Sequence, residues 1–220
     1  MSEARNVILS AIRLSLKRGP LCGEFRAPLE ERIRSHPRQL IPSRVDVAPD
    51  ALVELFIAKA RIASASVVEV HGWDDIPQAV ADYLASENLP ARLVQAPGLS
   101  NLDWSLVPAL QVRAGAAQKT DEVSLSKGLA GVAETGTLVL ASGSDSPTTL
   151  NFVPPTHLVV LFRKDVVGAY EDAWDRLRAT GDTPRTVNFI TGPSRTGDIE
   201  QQIQIGVHGP LRLHLILVGR

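Results

Sequence analysis

"LAGVAETGTLVLASGSDSPTTLNFVPPTHLVVLF", residues 129–162, decides the fold, because it sets two short apolar runs on either side of a loop of small polar residues. Neither "TLVLA" nor "LVVLF" has the polar alternation of a half-solvated strand. Such runs belong where both faces of a sheet are covered, as in a largely parallel sheet between helices. The flanking sequence follows the same grammar. Leu52, Val53, Phe56, Ile57 and Ala60 form a helical stripe before a strand at Val67 to Val70. Ile76, Val80, Tyr83 and Leu84 form a second stripe before a strand at Arg92 to Gln95. After the runs Gly136 to Ala141 and Leu158 to Phe162 comes a helix with Val167, Tyr170, Trp174 and Leu177 on one face, then strands at Thr186 to Ile190 and Arg212 to Val218. The prediction is an α/β domain over residues 49–220, with a mostly parallel central sheet flanked by helices and both "TLVLA" and "LVVLF" near its centre.

Residues 1–48 read differently. Val7, Ile8, Ala11, Ile12 and Leu14 make an amphipathic helix interrupted by Glu3, Arg5 and Arg13, which is not the continuous apolar core of a signal peptide. From Gly19 to Pro49 five prolines predict an extended arm with at most short helical turns, around Leu29 to Ser35. Arg26, Arg32, Arg34, Arg38 and Arg44 in that arm read as a solvated face, the alternative being that some of them bind an anionic partner.

The totals narrow the function. A length of 220 residues with 44% hydrophobic side chains supports one well-cored globular unit. The formal charge of −1, with no basic stripe, excludes nucleic acid as a first choice of partner. No apolar stretch reaches the roughly 18 residues of a membrane span. With Cys22 as its one cysteine, the chain cannot supply the ligands of an iron–sulfur cluster or a Cys-type zinc site, and a reducing, cytoplasmic setting fits. No metal-ligand spacing stands out, so neither a metal nor a cofactor is expected on this chain alone.

Two stretches carry candidate chemistry. In the first, Glu134 lies between Val132-Ala133 and an apolar strand, where an unpaired carboxylate is costly. It is a nucleophile or general base, or it binds the amides of a neighbouring loop. Gly131 and Gly136 let a second backbone or a ligand approach closely, and Thr135 and Thr137 add hydroxyls. The second stretch, Gly192-Pro193-Ser194-Arg195-Thr196-Gly197, is read as leaving a strand and opening a short helix, which would put free N–H groups beside a guanidinium. Gly192, Ser194, Arg195 and Thr196 would then bind an anion, with Asp198 or Glu200 handling a proton. The alternative is helix capping by Ser194 or Thr196, with Arg195 neutralising the acids. His208, before Gly209-Pro210, is an acid, a base or a turn residue. The loop Ser142 to Thr149 leaves the other end of "TLVL" and is a secondary candidate. His157 begins one strand, and His214 faces away from Leu211, Leu213, Leu215 and Leu217 as a structural histidine. Ser124-Leu125-Ser126-Lys127 matches S-x-x-K, but the companion motifs are absent.

Taken together, "GVAETGTLVL", "ITGPSRTGDIE" and "GVHGPLRLHLILV" resemble the LUD domain of the bacterial lactate utilization protein C family. That resemblance implies a fold similar to formyltetrahydrofolate cyclo-ligase, sugar-phosphate isomerases and CoA transferases. It also implies participation, as a complex subunit, in oxidising L-lactate to pyruvate, with iron–sulfur clusters in partner proteins. The alternative is a stand-alone enzyme or ligand-binding module for an anionic small molecule such as a sugar phosphate, CoA ester or folate-like compound.

Overall fold

A computed structural model of the chain describes residues 3–19, 21, 23–181, 183–197, 203–206 and 208–219. They fall into two units, Met1–Leu40 and Ile41–Arg220. In the first unit, α1 spans Glu3–Ser15 and α2 spans Gly23–Ser35. The second helix corrects the expected extended arm. Pro28 removes one N–H donor, but the helix around it is rich in Glu and Arg and carries the i,i+4 pair Arg26–Glu30 at 2.6 Å.

The second unit is built on a six-stranded parallel sheet. In chain order its elements are α3 (Pro49–Ile62), β1 (Ser66–Val70), α4 (Ile76–Ser86), β2 (Arg92–Gln95), β3 (Gln111–Ala114), β4 (Val123–Lys127), β5 (Ala130–Val132), β6 (Thr137–Ala141), β7 (Thr156–Phe162), β8 (Val166–Val167), α5 (Tyr170–Ala179), β9 (Val187–Ile190), β10 (Arg195–Gly197), β11 (Ile203–Ile205) and β12 (Arg212–Val218). The parallel sheet runs β1-β12-β7-β4-β2-β3. On one face Ile76, Val80 and Leu84 of α4 pack over Val94, Leu125, Leu158, Val160 and Ile216. On the other, Val53, Phe56, Ile57 and Ala60 of α3 pack with Leu138 and Leu140 over Val159, Leu161, Leu215 and Leu217. The two faces alternate residue by residue along β7 and β12, as a strand buried on both sides requires.

The placement of "TLVLA" differs from the expectation. "LVVLF" is in the middle of the parallel sheet, but β6 belongs to a second sheet of order β8-β5-β6-β9 and pairs antiparallel with both β5 and β9. Only four residues separate β5 from β6, too few for a parallel crossover, so the two close as a hairpin. The run is apolar because this annex is itself covered twice. Leu138 and Leu140 face α3, while Val139 packs with Ala173 of α5. Val167, expected on the α5 face, lies in β8 instead.

Six strands were not expected from the sequence: β5, β8, β10 and β11 outside the parallel sheet, and β3 and β4 within it. β4 hides behind Ser124 and Ser126, both fully buried. Ser124 donates to the Leu150 carbonyl (2.6 Å), and Ser126 bonds His157 Nε2 (2.7 Å). β3 is an edge strand carrying Gln111 and Arg113.

Candidate functional site

The β5–β6 turn, residues 133–136, is held to its surroundings through its backbone. Ala133 donates to Val167 O, Glu134 to Gly168 O, and Gly136 back to Val132 O. Gly136 has φ +71°, and a Cβ there would lie 2.3 Å from the Ala60 amide nitrogen. The close approach expected at this glycine is therefore made by the backbone of α3. Gly131 is approached by the side chains of Leu161 and Phe56.

This turn presents Glu134, whose side chain is 16% exposed and ion-pairs with Arg44 at 2.6 Å. Arg44, read in sequence as part of a solvated face, is thus the partner that makes a largely buried carboxylate tolerable. Beside it the hydroxyls form a connected set. Thr135 and Thr137 bond each other at 2.6 Å, both bond the Tyr170 hydroxyl at 2.9 Å, and Thr137 bonds Thr191 at 2.6 Å. Tyr170 begins α5 and Thr191 follows β9, so four separate elements meet here.

The antiparallel pairing of β6 with β9 brings the second stretch to the same end of the annex. Gly192 (φ +75°) lies against α3, where a Cβ would be 2.0 Å from the Ala63 carbonyl oxygen. Arg195 Nη2 donates to that oxygen (3.3 Å) and to the Ser64 hydroxyl. A guanidinium at the last carbonyls of α3 also complements that helix's dipole. Ser194 is tied through its backbone, donating to Pro210 O and accepting from Gly206 N. Among the described residues the expected short helix is not formed: Arg195, Thr196 and Gly197 pair antiparallel with Ile203 to Ile205 as a ribbon. Anion binding at a helix N-terminus therefore has no basis there, and Arg195 acts at a helix C-terminus. His208 is exposed. Asp198 and Glu200 lie outside the described residues.

The structure thus joins Glu134, Thr135, Gly136 and Thr137 to Thr191 and Gly192, with Arg195 bound to the end of the same helix that both glycines touch. The loop after β6 is elsewhere, lining a cleft of about 850 Å³ with Lys127, Phe162 and Lys164. Two histidines are buried in the parallel sheet. Burial pushes His157 down to about 3 and His214 to about 4. His214 bonds Ser66 through Nδ1 (2.7 Å) and stacks on Tyr83 with centroids 3.9 Å apart. Both are structural. Among the described residues no three or more His, Cys, Asp or Glu side chains gather as metal ligands, and no helix is long and apolar enough to cross a membrane.

A parallel six-stranded sheet carrying an antiparallel annex, with an acid and a hydroxyl cluster at the annex turn, defines an α/β protein. The LUD-domain family model matches residues 53–218, and the chain belongs to that family. It is 38% identical over 92 residues to lactate utilization protein C of Bacillus subtilis, a match covering 40% of this chain and 38% of that protein. It is 36% identical over 90 residues to an uncharacterized protein of Neisseria meningitidis, with the same coverage. The matched segments thus span about two fifths of these relatives. A crystal structure of a DUF162-family protein from Deinococcus radiodurans shares the fold, with a TM-score of 0.60 at 22% identity over 79% of this chain and 99% of that one.

Proposed function

We propose that this chain is a subunit that takes part in oxidising L-lactate to pyruvate, working with separate iron–sulfur proteins. The observation that carries this reading is the identity shared with relatives named lactate utilization protein C. The reaction removes two electrons and two protons from the carbinol of lactate. One cysteine in 220 residues cannot ligate a cluster that would receive the electrons, so cluster-bearing partners are assigned that role.

On this reading Glu134 accepts the hydroxyl proton, since it is the one largely buried acid of the turn, and Arg44 holds it in place, while the C2–H bond breaks with its proton passing to solvent and its two electrons passing singly to the partners' clusters. Thr135, Thr137, Tyr170 and Thr191 supply hydroxyls to a bound oxygen. Arg195, which uses Nη2 on Ala63 and Ser64, keeps further N–H donors for a carboxylate. The test is genetic and biochemical. Deleting the gene in its native host is expected to abolish growth on L-lactate, and tagged protein from lactate-grown cells is expected to bring down iron–sulfur proteins with it. Undiminished growth of the deletion strain overturns the proposal. Failure of Glu134→Gln to impair complementation, with growth otherwise dependent on the gene, removes only the assignment of the base.

A further inference from the structure

The parallel sheet has a topological switch point, and the cleft described above opens on it. β2 is followed by β3, placed outward of it, whereas β4 is followed in the same sheet by β7 and then β12, in the opposite direction. Connections leaving β2 and β4 therefore part from one another and leave a crevice beyond the carboxyl ends of these strands, where ligands of open α/β sheets bind. Ala96 and Gly98 after β2, Lys127 and Gly128 at the end of β4, Phe162 and Lys164 at the end of β7, and the loop from Ser142 to Ser146 line the 850 Å³ cleft. This volume lies within the range of small-molecule sites.

The charges in the cleft are not evenly committed. Arg176 is paired with Asp165 at 2.6 Å. Lys127 and Lys164 form no ion pair with a described carboxylate, and both ammonium groups lie over the ring of Phe162, at 5.3 and 5.4 Å from its centroid. Phe162 is in turn stacked on Trp73, 5.9 Å away. Against these two cations stands the Asp145 carboxylate. Its loop is closed by reciprocal Gly143–Ser146 backbone bonds of 3.2 Å and anchored by Gly98 N donating to Asp145 O.

We infer that this crevice is a binding site for a small phosphorylated molecule, separate from the Glu134 cluster and independent of the lactate reading. Two flexible ammonium groups with serine hydroxyls beside them suit a tetrahedral, multiply charged group. The planar guanidinium that would favour a carboxylate is already taken by Asp165. The apolar surface of Leu129, Leu177 and Phe162 receives the remainder of the ligand.

Isothermal titration of the full chain with glycerol 3-phosphate, inorganic phosphate, malonate and L-lactate tests the site. The two phosphates are expected to bind saturably, glycerol 3-phosphate more tightly, with malonate and lactate at least tenfold weaker. The double variant Lys127→Met/Lys164→Met is expected to lose at least tenfold in phosphate affinity. Both lysines are exposed, so its urea midpoint should match that of the wild type and show that the fold is intact. Absence of saturable phosphate binding at millimolar concentrations, an unchanged affinity in the double variant, or malonate binding as tightly as phosphate overturns the inference.

Discussion

Replacing Gly136 by alanine tests whether the Glu134 turn is locked onto α3. At φ +71° an alanine pays about 1–2 kcal/mol for the left-handed conformation alone. Its Cβ would also lie 2.3 Å from Ala60 N and 2.5 Å from the Lys59 carbonyl carbon, contacts that only a backbone shift relieves. Forcing such a shift in a packed region adds about 1–3 kcal/mol. Gly181 is the matched control: φ is +75°, but no described atom lies within 4 Å of a Cβ built there. With a urea m-value of about 2 kcal/mol/M, the denaturation midpoint should fall by about 1–2.5 M for Gly136→Ala and by about 0.5–1 M for Gly181→Ala. The difference between the variants isolates the contact with α3 from the cost of the dihedral angle. Equal midpoint shifts would mean that the turn moves off the helix freely and is not locked onto α3.

Three further outcomes are expected. His157 and His214, held down to about 3 and about 4, bind fewer protons folded than unfolded, so stability is complete above about pH 6.5 and falls as pH drops toward those values. At pH 5 the loss is roughly 2 kcal/mol for each histidine, and His157→Gln should flatten the pH dependence of the urea midpoint between pH 7 and 5; an unchanged slope counts against it. Tyr170→Phe removes the hydroxyl shared by Thr135 and Thr137 and should cost about 1–2 kcal/mol by thermal denaturation, with no loss at all pointing to a cluster rescued by water. Glu134→Gln should cost less than about 1 kcal/mol in the same assay, since its partner Arg44 is 57% exposed and solvent screens the pair.

Much of the fold was legible in the sequence, and the gaps have local causes. α3, α4 and α5 announce themselves by apolar stripes, and β7 and β12 by unbroken apolar runs, because burial on both faces leaves no polar position. β4 is equally central yet unreadable, since its serines satisfy themselves against Leu150 O and His157, partners that exist only once the sheet is formed. The identity of β6 as an annex strand depended on the length of its turn, whereas its composition matched a core strand. At the site, a costly carboxylate and two glycines that admit another backbone were visible from residue type. Arg44, 90 positions before Glu134, and Tyr170, 35 after Thr135, were not, because neither lies in a local pattern with its partner.

β6 also sets a limit on how the two candidate sites can work. Thr137 opens the strand at the hydroxyl cluster, and Ala141 closes it at the cleft. Four steps of about 3.4 Å put the ends roughly 14 Å apart, several times the length of lactate. One small acid therefore cannot touch both Glu134 and Lys127. Any influence of a ligand in the cleft on the acid must pass through the elements that run between them, β5, β6 and α5, of which β6 is packed on one side against α3 and on the other against α5. Such a strand transmits a shift of register or tilt but no direct charge contact. Loss of phosphate binding in the lysine variants should thus leave Glu134 and its pairing with Arg44 intact, and a double-mutant cycle between Lys164 and Glu134 should give additive free energies of unfolding, within about 0.5 kcal/mol.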